Sequence, residues 1–311
     1  MKTKILITGA AGYLGSLLSL KLSEEGHKIT AVDLPEKLAS VRPLFSKTSI
    51  ELISGDAADD FFLKEYLPQT DIVIPLAAIV GAPACDLNPE IAKRVNLSAI
   101  QNLNRLRSRD QLVIFPMTNN GYRPEAGQNY VTEETPFKAD SLYTLTKLQA
   151  EEELMSSSGA ISFRLASLFG SSPAMRWDLL LHHFVQHAFD DGSLSVYESD
   201  FKRNFVHALD AVDCILHGIQ NQSKMNGQIY NLALDSANIS KQELALEIKK
   251  YLPHLKIEKV TGEKDPDARN FFISTQKLAQ SGFKARRSLQ SGINEILTFL
   301  QMQNTTLRRV S

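Results

Sequence analysis

Residues 2–15 read Lys2-Thr3-Lys4-Ile5-Leu6-Ile7-Thr8-Gly9-Ala10-Ala11-Gly12-Tyr13-Leu14-Gly15, and this stretch decides the fold. Its apolar run from Ile5 to Ile7 has no polar alternation, as expected of a central parallel strand that is covered on both faces. Three glycines then recur at every third position. The pattern predicts a buried strand, a tight glycine turn and a helix from Tyr13 to about Glu25.

A glycine turn of this kind suits a diphosphate. Glycine lets a phosphate approach the backbone, and the N-terminus of the following helix adds N–H donors and a positive dipole end. The spacing Gly-x-x-Gly-x-x-Gly is not the commoner Gly-x-Gly-x-x-Gly, so the rest of the unit must support it. A second predicted strand over 28–32 ends in Asp33, 24 residues after Gly9 (33 − 9). A carboxylate near this spacing binds ribose hydroxyls and repels a 2′-phosphate, which favours NAD over NADP.

Composition narrows the class of protein. The chain has 311 residues, 43% of them hydrophobic, and a net charge of −1. This balance predicts neither nucleic acid nor a membrane as partner, and an anionic substrate would need a local basic pocket. The two cysteines, Cys85 and Cys214, form no zinc or disulfide pattern, and we expect no metal. The N-terminus enters a strand directly and no stretch suits a bilayer, so we expect a cytoplasmic protein.

Strand and helix patterns alternate through the first 165 residues or so, which predicts an α/β fold: a Rossmann doubly wound parallel sheet with a smaller C-terminal α/β substrate-binding region. Further strands are expected over 50–53, 71–78, 111–115, 161–165 and 229–232, and helices over 88–103, 141–156, 177–190 and 240–251. We assign residues 1–168 with about 205–232 to a dinucleotide-binding domain, here for NAD, and about 169–204 with 233–300 to a smaller substrate-binding domain. Residues 304–311 are expected to be a frayed tail.

Unusual residues follow the predicted strands one after another. They are Gly9 to Gly15, Asp33, Asp56, Ala77 to Gly81, Thr118 and Ser167. Ligands of open α/β sheets bind at the carboxyl ends of the strands, so these segments predict one cleft across the top of the sheet.

Tyr143 and Lys147 form the pattern Tyr-x-x-x-Lys, which places both side chains on one helix face. An ammonium there favours the ionised phenol, whose ordinary pKa of about 10 would otherwise keep it protonated. Such a tyrosine takes the proton of a substrate hydroxyl while hydride leaves the same carbon. Thr118 follows the fifth strand, where a hydroxyl could hold the substrate oxygen; the alternative is a turn residue, since Asn119-Asn120-Gly121 is a strong turn signal.

Together these motifs resemble the extended short-chain dehydrogenase/reductases that modify nucleotide sugars, over about residues 2–300. The motifs that carry the resemblance are Thr8-Gly9-x-x-Gly12-Tyr13-Leu14-Gly15, Asp33, Gly55-Asp56, Leu76-Ala77-Ala78, Asn96 with Asn102, Thr118, Tyr143 with Lys147, and Arg203-Asn204-Phe205-Val206-His207. Within that family the chain looks most like the GDP-heptose 4-dehydrogenases of capsule biosynthesis. That closer likeness lies in residues 75–83, 118–122, 175–180 and 265–269.

The resemblance implies a role for each matched residue. Thr118, Tyr143 and Lys147 would be catalytic, Asp33 would bind the adenosine ribose and Asp56 the adenine. The full set implied for NAD is Gly9, Gly12, Tyr13, Leu14, Gly15, Asp33, Leu34, Asp56, Ala57, Leu76, Ala77, Ala78, Asn96, Tyr143 and Lys147. The set implied for the substrate is Val80, Asn119, Arg176, Arg203, Asn204 and Arg269, with Arg203 on the diphosphate. The family also implies a homodimer through helices matching 91–108 and 141–156.

Three positions depart from the family pattern. A usual histidine is Pro75 here, a common glycine is Arg123, and relatives tend to carry asparagine near His182. None of these belongs to the proton and hydride machinery, but Arg123 and His182 bear on the substrate pocket.

The residues leave two reactions open. Oxidation of a sugar hydroxyl at C4 with release of the ketone is favoured by the closer likeness, with a GDP-sugar as the favoured substrate. Return of hydride to the opposite face would instead make a 4-epimerase. A 4,6-dehydratase is disfavoured, because amides at Asn119 and Asn120 replace the acid pair of that branch. A non-catalytic dinucleotide sensor is disfavoured, because Thr118, Tyr143 and Lys147 are all retained. Epimerisation at C3 and C5 would need an acid–base cysteine, for which the chain offers only weak candidates. Cys214 lies in an apolar helix pattern, and Cys85 lies in the loop after the fourth strand.

Overall fold

Strands and helices alternate along the chain in a computed structural model that describes residues 2–125, 128, 130–260 and 271–310, the last five as backbone only. The strands are β1 (Lys4–Thr8), β2 (Lys28–Asp33), β3 (Glu51–Ser54), β4 (Ile72–Pro75), β5 (Leu112–Thr118), β6 (Tyr130–Val131), β7 (Ala160–Leu165), β8 (Ser167–Phe169), β9 (Ser193–Tyr197), β10 (Lys202–His207), β11 (Gln228–Leu232), β12 (Asn238–Ser240), β13 (Lys256–Val260) and β14 (Phe272–Ile273). The helices are α1 (Tyr13–Glu24), α2 (Pro35–Phe45), α3 (Asp60–Tyr66), α4 (Ala82–Leu87), α5 (Pro89–Lys93), α6 (Ala99–Leu106), α7 (Leu142–Met155), α8 (Leu180–Asp190), α9 (Ala208–Gln220), α10 (Gln222–Met225), α11 (Lys241–Lys249), α12 (Gln276–Gln280) and α13 (Leu289–Val310). Leu67–Gln69 form a 3₁₀ turn and Arg94–Ser98 a π-helical turn between α5 and α6.

The central sheet has seven parallel strands in the order β11-β7-β5-β4-β1-β2-β3. The chain winds outward from β1 in one direction through β2 and β3, and in the other through β4, β5, β7 and β11. The order therefore reverses between β1 and β4, which is where a doubly wound sheet opens a crevice for ligands. The predicted Rossmann sheet is confirmed.

The apolar run of β1 is unbroken because both faces of this strand are buried. Ile5 and Ile7 belong to the core on one face of the sheet, and Leu6 belongs to the core on the other. Successive side chains of a strand point to opposite faces, so a strand covered by helices on both sides needs apolar residues at every position. A separate core lies among α8, α11 and α13, with Phe205 of β10 and Phe169 of β8 at its edge.

Two strand boundaries differ from the prediction. The strand expected over 71–78 stops at Pro75, although the N–H of Leu76 still donates to the carbonyl of Thr8 at 2.9 Å. The strand expected over 111–115 continues to Thr118, which makes Thr118 its last residue rather than a residue of the following turn. The reason is that Pro116, Met117 and Thr118 keep pairing with β7.

Two helix predictions also need correction. The helix expected from 88 to 103 is interrupted at Arg94–Ser98 by the π-helical turn. The frayed tail expected over 304–311 is wrong in its backbone, because α13 continues to Val310. After Gly292 the chain contains neither glycine nor proline, the residues that most readily end a helix. The side chains of residues 301–305, the last that the structure describes, are exposed, and Met302 is 65% exposed.

Among the described residues, no helix combines the length and apolar character that a bilayer crossing requires. The cytoplasmic location stays a prediction.

Candidate active site

The glycine turn after β1 keeps its backbone close to the end of β4. Gly9 has a φ of +72°, and a Cβ added there would lie 2.5 Å from the amide nitrogen of Ala77. A Cβ at Gly15 would lie 2.2 Å from the carbonyl oxygen of Gly9, so the helix could not pack so closely on the turn. The turn thus leaves no room for side chains between α1 and the strand ends, as a phosphate cradle requires.

Asp33 at the end of β2 holds the same turn. One carboxylate oxygen accepts a hydrogen bond from the N–H of Ala11 and the other from that of Leu34, both at 2.9 Å. Partial burial raises the pKa of Asp33, against the lowering effect of these two bonds. The carboxylate therefore sits beside the phosphate cradle, where an adenosine ribose would lie. Leu34, 42% exposed next to it, offers an apolar surface there.

Asp56 lies after β3, and its carboxylate already has partners within the protein. Its side chain accepts a hydrogen bond from the N–H of Ala58 at 2.9 Å and forms an ion pair with Arg94 at 2.7 Å. Ala57 lines a small pocket together with Thr8 and Ala77, which joins the ends of β1, β3 and β4. Adenine contact by Asp56 stays a prediction, and Arg94 is the partner that any such contact must accommodate.

Asn96, on the π-helical turn, supports the segment after β4. Its side-chain oxygen accepts from the N–H of Ile79 at 2.8 Å, and its amide donates to the carbonyl of Ile79 at 2.9 Å. The side chain is nearly fully buried. Asn96 therefore holds residues 76–80 in place by pairing with the backbone of Ile79, and a direct contact with the cofactor stays a prediction. Val80, in the same segment, is 38% exposed.

Thr118 and Asn119 mark the end of β5. The hydroxyl of Thr118 accepts a hydrogen bond from the N–H of Asn120 at 3.1 Å, and Thr118 is 9% exposed. Asn119 is buried, and its N–H donates to the carbonyl of Leu165 on β7 at 3.1 Å. The turn predicted from Asn119-Asn120-Gly121 and the hydroxyl predicted for catalysis thus coexist, because the side chain of Thr118 caps the turn.

Tyr143 and Lys147 lie in the first two turns of α7. A capping box fixes the start of that helix: Ser141 and Thr144 each accept a hydrogen bond from the other's backbone N–H, at 3.2 and 3.1 Å. Tyr143 is half-buried between these two residues. The cap therefore sets the direction of the helix turn that presents the phenol.

Lys147 is buried against β5. Its ammonium donates to the carbonyl of Pro116 at 3.0 Å and lies 3.9 Å from the centre of the Phe115 ring. Burial lowers the pKa of Lys147 to about 7, although the carboxylate of Glu151 acts in the opposite direction. The ammonium thus joins the helix that carries Tyr143 to the strand that ends in Thr118.

Arg176 lies near the phenol as well. Its guanidinium pairs with both oxygens of Asp178, at 2.6 and 2.5 Å. The hydrogen bonds that Arg176 donates to Asp178 raise the pKa of Arg176, and the fields of Tyr143 and Tyr13 add to that rise. Tyr13 is itself buried and donates to the carbonyl of Gly170 at 2.7 Å, which ties α1 to the start of the loop carrying Arg176.

Arg203 and Asn204 lie on β10, beside the second core. Both are buried, Arg203 being 6% exposed and Asn204 7% exposed. The amides of Asn204 and Asn238 each donate to the carbonyl of Phe271 at 3.1 Å. This double anchor fixes the residue that follows the segment 261–270. Arg269 belongs to that segment and lies outside the described residues, so its predicted role stays a prediction.

A comparison with known families now decides the class. The model described as the NAD-dependent epimerase/dehydratase family matches residues 5–233. The chain belongs to this family. It is an NAD-dependent enzyme of the short-chain dehydrogenase/reductase superfamily, so the predicted cofactor and the predicted enzyme class are confirmed.

Individual members of the epimerase/dehydratase family resemble the chain at low identity. CapI of Staphylococcus aureus is 25% identical over 244 residues, which are 72% of this chain and 71% of CapI. A UDP-N-acetyl-alpha-D-glucosaminuronate decarboxylase of Bacillus cytotoxicus is 25% identical over 335 residues, covering 98% of this chain and 100% of the decarboxylase. The structure of a UDP-glucuronic acid 4-epimerase from Bacillus cereus superposes with a TM-score of 0.83 at 20% identity, over 97% of this chain and 100% of that one. At this identity the superposition shows the shared fold.

The glycine turn fits the NAD that the family uses. The positions where a Cβ would collide with backbone, at Gly9 and Gly15, are those at which a diphosphate needs bare backbone and helix N–H groups. Asp33 is at the correct strand end for the ribose. When bound, NAD supplies the hydride acceptor.

The departures from the family pattern have structural explanations. Arg123 does not stand alone in the pocket: its guanidinium forms an ion pair with Asp140 and donates to the carbonyls of Asn120 and Tyr122, at 3.0 and 2.8 Å. Arg123 thus links the loop after β5 to the loop before α7. His182 is fully buried, and its Nδ1 lies 2.7 Å from the carbonyl oxygen of Arg176. Burial lowers the pKa of His182.

The cysteines are buried. Cys85, expected in a loop near the substrate, lies in α4 with its Sγ 3.3 Å from the carbonyl oxygen of Ile79. Burial raises the pKa of the Cys85 thiol. Cys214 is buried in α9, as its apolar pattern predicts. Neither arrangement supports an acid–base cysteine.

Sequence reasoning missed a buried polar cluster below Lys147. Glu151 of α7 and Arg164 of β7 form an ion pair at 2.6 Å, with side chains 2% and 7% exposed. Two signals were available: Glu151 continues the four-residue spacing of Tyr143 and Lys147, and Arg164 is a charged residue within a mostly apolar strand.

Proposed function

We propose that this protein oxidises a hydroxyl of a nucleotide sugar, at C4, with NAD as hydride acceptor. The observation that best supports this proposal is the hydrogen bond from Lys147 to the carbonyl of Pro116. This bond holds α7, which carries Tyr143, against the end of the strand that contains Thr118. Tyr143 takes the proton of the sugar hydroxyl and Thr118 binds the same oxygen. The ammonium of Lys147, one helical turn away, favours the phenolate. NAD, held by the glycine turn and Asp33, would supply the acceptor for the hydride that leaves C4.

The nucleotide sugar itself is proposed to lie across the cleft on residues of the smaller region, about 169–204 with 233–300. Its diphosphate would be bound by Arg203, which is supported by the burial of that guanidinium beside Asn204. A guanidinium gives a bidentate grip on phosphate, and the net charge of −1 makes such local cations necessary. Arg176, within range of Tyr143, would contact the sugar or its phosphate.

Two outcomes follow from the common first step. Release of the 4-ketone from a GDP-linked sugar such as a heptose is supported by the local likeness over 118–122 and 175–180. Redox-neutral 4-epimerisation of a UDP-sugar is supported by the names of relatives, such as a UDP-glucuronate 4-epimerase of Arabidopsis thaliana that is 22% identical over 94% of this chain. Loss of water is not supported, since amides follow Thr118 in place of acids.

A substrate panel separates these outcomes. The purified protein is incubated with NAD and GDP-, UDP-, dTDP- or CDP-sugars, including GDP-heptose and UDP-glucuronic acid. NADH absorbance and product NMR are followed together. Stoichiometric NADH with a keto-sugar supports the dehydrogenase, and inversion at C4 without net NADH supports the epimerase. Absence of any change at C4 across the panel would contradict the proposal.

The homodimer is also proposed. Its support is the exposure of apolar side chains along α4, α5 and α7: Leu87 is 88% exposed, Ile91 43% and Leu145 42%. A second copy covering these residues would remove apolar surface from water. Sedimentation at micromolar concentration should give a dimer, and Leu145→Asp should give a monomer. A monomeric wild-type protein would contradict this interface.

A further inference from the structure

The buried pair of Glu151 and Arg164 is fully hydrogen-bonded. Besides the contact at 2.6 Å, the Nε of Arg164 donates to both carboxylate oxygens, at 3.2 and 3.1 Å. Ser162, two residues before Arg164 on β7, donates to the same carboxylate at 2.5 Å. Burial disfavours the charge on Arg164, but the hydrogen bonds and field of Glu151 outweigh it and raise the pKa of the guanidinium. The guanidinium therefore stays charged inside the protein.

The pair reaches the loop that carries Thr118. Arg164 donates to the hydroxyl oxygen of Tyr122 at 2.9 Å, and that hydroxyl donates to the side chain of Asn231 on β11 at 2.6 Å. Arg164 also donates to the carbonyl of Glu133 at 3.2 Å. Tyr122 is fully buried and lies four residues after Thr118 (122 − 118). One guanidinium thus joins α7, the loop after β5 and the edge of the central sheet.

The charges around Lys147 single out Glu151. On α7 itself the neighbours at four-residue spacing are Tyr143 and Glu151, and the carboxylate of Glu151 raises the pKa of Lys147 against the lowering effect of burial. From β7 comes Arg164, already paired. The charged or titratable groups on the other packed elements have other partners or face solvent. The thiol of Cys85 is directed to Ile79, Asp86 is exposed, and Arg107 donates to backbone carbonyls. Three ion pairs account for the rest: Glu90 with Lys93, Arg94 with Asp56, and Arg105 with Asp60.

We propose that Glu151 and Arg164 are positioning residues for the catalytic centre: Glu151 places a buried carboxylate one helical turn from Lys147, while Arg164 holds Glu151 and the Thr118–Tyr122 loop in register with α7. The proposal deepens the function proposed above and rests on it for the link to turnover. Its charge component concerns the resting protein and can be measured without any substrate.

The charges predict effects of opposite sign. Removing the carboxylate leaves the buried guanidinium uncompensated and lowers the pH at which Lys147 loses its proton. Removing the guanidinium leaves the carboxylate facing Lys147 and raises that pH. A group that only fills space in the core would destabilise the fold in both cases without this reversal.

The test is the titration of Lys147 by carbon NMR in protein labelled with [ε-¹³C]lysine. The Lys147 signal is identified by its absence in Lys147→Arg. From a wild-type midpoint near pH 7, Glu151→Gln should lower the midpoint and Arg164→Met should raise it, each by roughly one pH unit. The double variant should lie between the two. Glu152→Gln is the matched control, since Glu152 is exposed on the same helix and the same charge is lost; its midpoint should not move.

Two results would overturn the inference: an unchanged midpoint in Glu151→Gln, or a fall in both single variants. If Glu151→Gln does not fold, the double variant replaces it, because it does not leave the guanidinium buried without its carboxylate. Its midpoint should still lie below the wild-type value, since the carboxylate that attracts the Lys147 ammonium is lost. In active protein the kcat of Glu151→Gln should fall above the new midpoint while KM is retained. A protein that titrates as expected but turns over no nucleotide sugar would contradict the proposed function and leave the positioning role standing.

Discussion

The ammonium of Lys147 donates a hydrogen bond to the carbonyl of Pro116 at 3.0 Å, across the contact between α7 and β5. This bond relates two predictions that the sequence makes separately, a Tyr-x-x-x-Lys helix and a hydroxyl at a strand end. Because Pro116 lies two residues before Thr118 (118 − 116), the lysine and the threonine approach the cleft from adjoining elements. The geometry leads to predictions for the cofactor turn, the substrate cation and the lysine itself.

Gly9→Ala should abolish NAD binding. An added Cβ would lie 2.5 Å from the amide nitrogen of Ala77, so the turn or the end of β4 must move. Gly26→Ala is a matched control, because Gly26 also has a positive φ, +85°, but has nothing within 4 Å of the added carbon. The control should lose stability by about 1 kcal/mol and keep its NAD affinity. Isothermal titration and thermal unfolding measure both. Equal NAD affinities in the two variants would contradict this reading of the turn.

Asp33→Asn should weaken NAD binding by about tenfold, since a charged acceptor for the ribose and the turn is replaced by a neutral one. The preference for NAD over NADP should narrow, because the repulsion of a 2′-phosphate is lost. Glu36→Gln removes the same charge from an exposed neighbour and should change neither affinity. Direct binding of both cofactors to the three proteins is the measurement. An Asp33→Asn protein with wild-type discrimination would show that another group selects the cofactor.

Arg203→Gln should raise the KM for the nucleotide sugar by about tenfold to hundredfold, with little change in NAD affinity, since a charge-assisted contact to phosphate is lost. Arg105→Gln is the control, because Arg105 pairs with Asp60 on the surface and lies away from β10. Initial rates measured against substrate concentration give the KM of each variant. A wild-type KM in Arg203→Gln would place the diphosphate elsewhere.

The stability of the wild-type protein relative to Lys147→Met should depend on pH. Burial lowers the pKa of Lys147 from 10.5 to about 7. Between these values the unfolded chain binds more protons than the folded one, so this contribution to stability increases as pH rises. From pH 7 to pH 9 the wild type should gain on the order of 1–2 kcal/mol relative to Lys147→Met. Urea unfolding at both pH values measures the difference. A difference that does not change with pH would mean that Lys147 keeps an ordinary pKa in the folded protein.

The sequence predicts the central sheet well, and the reason is physical. Central parallel strands such as β1 are covered on both faces and therefore carry long apolar runs. The glycines at 9, 12 and 15 allow close approach of backbone segments, which few structures other than a tight strand–turn–helix unit require. The interruption of the 88–103 helix was not predictable from its apolar spacing, because a π-helical turn changes hydrogen bonding without changing composition.

Long-range polar contacts account for most of what the sequence does not predict in the site. Asn96 was assigned to the cofactor, whereas its side chain holds the backbone of Ile79, 17 residues earlier (96 − 79). Arg123 was expected to crowd or charge the pocket, and it pairs with Asp140 instead. The partner of a polar side chain depends on which elements pack together, and residue spacing along one element carries no record of that.

The central claim is that Tyr143 transfers the proton during oxidation of a nucleotide sugar. The most direct test is turnover by Tyr143→Phe, measured with the panel substrate that the wild type converts and with NAD binding measured beside it. We predict a loss in kcat of about 10²–10⁴ with NAD affinity retained, and wild-type turnover in the control Tyr130→Phe, whose side chain is 58% exposed. Turnover of that substrate by Tyr143→Phe at the wild-type rate would contradict the catalytic assignment.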